Sequence, residues 1–235
     1  MKKIFIRIEN FYFFIFPIIY ILIYSHLIFG NYLFHDMWDY FGYRFLQGKN
    51  CFDFKNYPLF EWFAFALGRF FGYLVLCLQV EIISSPLNSY LARLVTVLGV
   101  LIFYFLNSYV LYLVTKNKNF SFIFSILVIS LPGFLFVISW VGTGFIIFSW
   151  IFSLISFLFF IKYLQHYGSI KYIYLLLFSL FSIFSFLFYQ MGPLYNFLLV
   201  TVLLIFNQKK EILNYKNLKI ILINTIQLGL LFIFF

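Results

Sequence analysis

Seven acidic side chains serve the whole chain. Two of them, Asp36 and Asp39, fall in the run His35-Asp36-Met37-Trp38-Asp39-Tyr40, directly after the first long apolar stretch. Ionisable groups beside a bilayer are costly to place and tend to mark function. Spaced three apart, the two carboxylates share one side if a helix begins there. One can then take a proton from a hydroxyl nucleophile while the other orients it or holds a cation, provided the base lies within hydrogen-bond reach. Asp36 would also serve as N-cap of a helix Met37–Gln47, a role compatible with the first. His35 gives a His-Asp-x-x-Asp run, which is not a specific ligand spacing, although these groups suit several divalent ions. Asp36 and Asp39 are therefore the catalytic candidates. A metal on His35, Asp36 and Asp39 is the subsidiary reading, and no other cofactor is expected.

Arg44, Arg69 and Arg93 add rigid cationic forks suited to a pair of phosphate oxygens; headgroup snorkelling is the bland alternative for each. Arg69 stands out because it interrupts an apolar stretch beside Gly68, where a lipid-facing arginine costs about 2.5–3.5 kcal/mol. Tyr189-Gln190 closes a later apolar run just before the turn-forming Gly192-Pro193. Both side chains can hydrogen-bond sugar hydroxyls. Trp38 and Trp140 could stack on a sugar ring, but tryptophan is also common at membrane interfaces. Arg44, Arg69, Arg93, Tyr189, Gln190 and Trp38 are the substrate-binding candidates.

These residues are positioned by a very apolar chain. Of 235 residues, 65% are hydrophobic and 10% charged, with a mean hydropathy of +1.02. Soluble domains carry about 25% charged residues, so the composition predicts an all-α, polytopic membrane protein. A helix needs roughly 20 apolar residues to cross a bilayer core of about 30 Å. That criterion gives about seven spans: Phe11–Gly30, Ser89–Val114, Phe120–Ser139, Phe145–Ile161, Tyr172–Phe188, Leu194–Phe206 and Leu218–Phe235. The whole chain, 1–235, reads as one membrane domain, with Asn31–Asn88 as a long first extracytoplasmic loop. Within that loop Phe60–Ser84 is ambiguous. Glu61, Gly68, Gly72 and Gln79 share a stripe at about 100° per residue, which suits an interfacial helix or packing on other helices; a buried span is the rival.

The basic residues decide orientation. If Phe60–Ser84 does not cross, Lys2, Lys3, Arg7, Lys116, Lys118, Lys162, Lys171, Lys209, Lys210, Lys216 and Lys219 share the cytoplasmic side with the amino terminus, as the positive-inside bias requires. The extracytoplasmic face is then built from the long loop, the turn Trp140–Gly144 and the turn Tyr189–Pro193. The net charge of +9 therefore reports topology and implies no nucleic acid. The first apolar run is too long for a signal peptide and lacks a small-x-small cleavage site, so it reads as an uncleaved anchor. The last run stops at Phe235 without a polar flank, which reads as a truncation. Cys51 and Cys77 belong to no cysteine framework and are expected to remain unpaired. No Gly-rich phosphate loop, Cys-x-x-Cys pair, His-Glu-x-x-His helix or nucleophile elbow occurs, so soluble nucleotide chemistry finds no support.

The arrangement resembles the amino-terminal half of a GT-C class glycosyltransferase, and more narrowly the O-antigen-modifying glucosyltransferases. The likeness rests on His35-Asp36-Met37-Trp38-Asp39-Tyr40-Phe41, on Trp62…Gly68-Arg69 and on Phe188-Tyr189-Gln190, across Ile19 to Leu198. That family is longer and often carries adjacent acidic residues, whereas Met37 and Trp38 separate them here. The resemblance implies transfer of a sugar, inverting or retaining, from a polyprenyl-phosphate donor to a glycan such as the O-antigen of lipopolysaccharide, at the outer face of a bacterial inner membrane. Asp36 would be the first choice of base and Asp39 the second. Arg69, with Arg44 or Arg93, would neutralise the departing lipid phosphate, and the lipid tail would lie among the spans. A glycan polymerase should carry more external arginines. A flippase or transporter should carry ionisable residues at mid-depth. A non-catalytic membrane subunit would need no acidic pair.

Overall fold

The computed structural model describes residues 15, 17–30, 48, 50–53, 68–83, 88–139, 143–190 and 192–206. Within them regular structure is helical throughout, with no strand. Helical backbone over 17–23 leads into α1 (Ser25–Ile28). The bundle continues with α2 (Phe70–Ile82), α3 (Tyr90–Thr115), α4 (Lys118–Ile129), α5 (Pro132–Ser139), α6 (Gly144–Gln165), α7 (Ile170–Phe188) and α8 (Leu194–Phe206).

Among the described residues, three helices are long and apolar enough to cross a membrane: α3 with 26 residues, α6 with 22 and α7 with 19. At 1.5 Å per residue even α7 reaches about 28 Å, close to the hydrocarbon thickness of about 30 Å. Their bounds match the expected spans to within a few residues. The stretch Phe120–Ser139, by contrast, is not one helix. Pro132 lacks an N–H and its ring crowds the preceding turn. The chain tightens there, Leu131 donating to the Val128 carbonyl at 3.2 Å, and restarts as α5 with Pro132 first, where a proline is tolerated. The α8 helix holds 13 residues, and Leu218–Phe235 lies outside the described residues. Among the described residues, three helices of spanning length stand where about seven spans were expected for the whole chain.

Successive long elements run in opposite senses, which sorts the loops onto two ends. The carboxyl end of α1, the start of α3, the end of α5, the start of α6 and the end of α7 meet at one end, joined by α2. Thr115–Lys118 and the α6–α7 turn, closed by Gly168 at φ +77°, lie at the other. Close approach sets the spacing. Serines at the α6–α7 seam bond across it, Ser149 Oγ donating to the Ser185 carbonyl at 2.7 Å and Ser185 Oγ returning a bond to the Ser149 carbonyl at 2.8 Å. Further along, Ser156 and Ser182 hydroxyls lie 2.7 Å apart. A Cβ at Gly192 would collide with both Ser149 and Ser185.

Of the ambiguous segment Phe60–Ser84, residues 68–83 are described and hold α2. Its 13 residues rise only about 20 Å, and its small and polar stripe turns inward. A Cβ at Gly72 would sit 2.5 Å from the Phe188 carbonyl oxygen, so only glycine lets α2 lie this close to the end of α7. Two turns further on, Gln79 is completely buried. Its amide donates to the Ala92 carbonyl at 2.8 Å and to Thr96 Oγ1 at 2.9 Å, while its oxygen accepts the Gly144 N–H at 3.2 Å. One side chain thereby ties α2 to α3 and to the first residue of α6.

The cysteines correct the expectation of free thiols: Cys51 and Cys77 form a disulfide. The ridge Tyr73–Cys77–Glu81 of α2, spaced at i, i+4, grips Cys51 as a whole. The Tyr73 hydroxyl donates to the Cys51 carbonyl at 2.8 Å, and a Glu81 carboxylate oxygen accepts the Cys51 N–H at 2.9 Å. Cysteines 26 residues apart are brought together by docking on α2, which no local spacing encodes.

Candidate functional site

The start of α2 meets the end of α7, and three of the residues singled out from sequence come together there. Gly68 at φ +59° turns the chain so that Arg69 becomes the residue that opens α2. Tyr189 ends α7 in extended backbone, φ −162° and ψ 126°, which releases its ring and the next side chain from the helix. Phe71 stacks on Phe188 at 5.6 Å and meets Phe184 edge-on at 5.4 Å. Those rings fix the crossing.

On this base Arg69 Nε donates to Gln190 Oε1 at 2.7 Å, and the guanidinium carbon lies 4.6 Å from the centre of the Tyr189 ring. Gln190 is 121 residues from Arg69 in sequence. A cation over an aromatic face contributes about 0.5–1 kcal/mol at an exposed site, and the amide bond fixes the rotation of the guanidinium plane. All three residues are half-buried. The result is an oriented, solvent-reachable cation with a phenol and an amide beside it. Such a group can pair with two oxygens of a phosphate and hydrogen-bond hydroxyls.

Arg93 is placed differently. It was read as an external cation, yet it is 0% exposed. Its Nε donates to the Ser139 carbonyl at 3.0 Å, and one terminal nitrogen donates to the Ile28 carbonyl at 3.5 Å and to the Gly30 carbonyl. These oxygens stand at the carboxyl ends of α1 and α5, where helices leave carbonyls without internal partners and carry partial negative charge. Arg93 thus joins three elements inside the protein. The sequence signal was ambiguous because an arginine one turn inside an apolar span looks the same whether it snorkels outward or is folded in.

His35, Asp36, Trp38, Asp39 and Arg44 lie outside the described residues, as does Trp140, so the acidic pair and the metal reading built on it have no geometry here. Among the described residues no group of three or more His, Cys, Asp or Glu side chains stands together. The residues that sequence reasoning passed over are Tyr73, Glu81 and Ser149. Ser149 Oγ lies 3.0 Å from the Tyr189 carbonyl, holding the residue that carries the ring under Arg69. Only the i, i+4 spacing around Cys77 could have pointed to the first two. No family model, curated protein or solved structure matches the chain.

Proposed function

We propose that the protein is a membrane glycosyltransferase that moves a sugar from a polyprenyl-phosphate donor to a cell-surface glycan such as O-antigen, at the extracytoplasmic face of a bacterial inner membrane. The observation that carries this reading is the convergence of Arg69, Tyr189 and Gln190 at the end of the bundle that also receives Gly30 and Cys51, the two residues flanking the acidic segment. In this reading Arg69 meets the departing lipid phosphate, Tyr189 and Gln190 meet sugar hydroxyls, and Asp36, with Asp39 second, removes the proton from the acceptor hydroxyl. Stabilising a developing charge with a fixed donor is worth about 10²–10³ in rate.

The test is glycan modification by variants confirmed to insert in the membrane. Asp36→Asn or Asp39→Asn should abolish transfer. Arg69→Gln should lower it by about 10²-fold, and Arg69→Lys should restore only part, because a lysine cannot reproduce the planar fork. Normal transfer in both aspartate variants would overturn the reading. A second reading, a non-catalytic multi-pass protein, is favoured by the wholly internal use of Arg93. It expects Arg93→Gln to impair folding and Arg69→Gln to change nothing.

A further inference from the structure

At the opposite end from Arg69, Phe159 and Lys162 stand near the carboxyl end of α6, and His166 caps that end. Tyr174 of α7 lies against all three. Its ring centre is 6.4 Å from Phe159, 4.9 Å from the His166 ring and 5.7 Å from Lys162 Nζ. His166 Nδ1 sits 2.9 Å from the Lys162 carbonyl, which fixes the imidazole. The Lys162 side chain itself is exposed. From Phe159 a half-buried column of rings continues inward, with Phe159 to Phe181 at 5.3 Å and Phe181 to Phe152 at 5.9 Å. Beside it, α7 buries only 22% of its apolar stretch, against 56% for α3 and 61% for α6. Tyr172 and Leu176 stand 71% and 65% exposed.

We infer that this α6–α7 face is a docking surface for an anionic phospholipid. The lipid phosphate sits at Lys162 and His166, and an acyl chain lies over Phe159, Phe181 and Phe152. Three features select that occupant. The rise from Lys162 down to Phe152 on α6 is about 15 Å, half of a hydrocarbon core of about 30 Å, so one leaflet's chain matches the column. The cation stands where the apolar column ends, which is where a headgroup would lie, and basic pockets between spans hold anionic headgroups. A second copy docked face to face is a poor fit, because α6 and α7 carry no carboxylate, so pairing this face with itself would bring lysines together.

The experiment uses the full chain in nanodiscs of equal phosphatidylglycerol and phosphatidylcholine, released and read by native mass spectrometry. The wild type should retain phosphatidylglycerol roughly fivefold over phosphatidylcholine. Lys162→Gln, a change at an exposed side chain, should bring the ratio near parity, while Lys118→Gln at the same end should leave it unchanged. Phe181→Ala should lower retention of both lipids without altering their ratio. Parity in the wild type, equal effects of the two lysine variants, displacement by millimolar inorganic phosphate, or a dimer that carries no lipid would each overturn the inference. None of these outcomes depends on glycosyl transfer.

Discussion

The two ends of the bundle hold their cations in opposite ways. At the α2 end the arginines bond through fixed forks: Arg93 to helix-terminal carbonyls with no exposure, and Arg69 to an amide and a phenol ring. At the other end the lysines lie against ring faces, Lys171 Nζ 4.4 Å from the Tyr163 ring and Lys162 Nζ 5.9 Å from Phe159. A guanidinium can be buried because its planar donors are met by oriented acceptors, whereas an ammonium is strongly hydrated and stays at the surface. Positive charge is therefore bonded into the structure at one end and rests against ring faces at the other.

The contrast can be broken most severely at Arg93. Arg93→Leu should destabilise the protein by about 1–3 kcal/mol for each carbonyl left unsatisfied, measured by unfolding in bicelles, since it strands the carbonyls of buried Ile28 and Ser139 and of half-buried Gly30. A loss below 1 kcal/mol would mean that the internal bonding of Arg93 is incidental. Next comes the disulfide. Closing a loop of 26 residues restricts the unfolded chain by about 3.5 kcal/mol, so Cys51→Ser with Cys77→Ser should lower the midpoint of unfolding, and reductant should have no further effect. Gly72→Leu should cost about 1–3 kcal/mol and weaken the Arg69–Gln190 contact by pushing α2 off Phe188, with loss of transfer as the functional readout. At the lysine end, Lys162→Ala should change stability by no more than about 0.5 kcal/mol.

Apolar length was enough to find α3, α6 and α7, because a span needs little more than some twenty residues without charge. The break at Pro132 was written in the sequence, but the hydrophobicity on either side of it argued for continuity. Arg69, Tyr189 and Gln190 each stood out singly. Their meeting depends on α2 lying across the end of α7, which rests on Gly72 and on stacked phenylalanines that pattern alone cannot pair. Arg93 was misplaced in depth for the same reason: its partners are backbone oxygens, and these leave no trace in side-chain types. The disulfide was missed because its two halves are joined by tertiary docking.

The serines between α6 and α7 have a mechanical consequence. Sliding α7 by one turn, about 5.4 Å, would part Ser149 from Ser185 and Ser156 from Ser182 together, and twisting either rod would do the same. This hairpin is keyed, so it behaves as a stiff post.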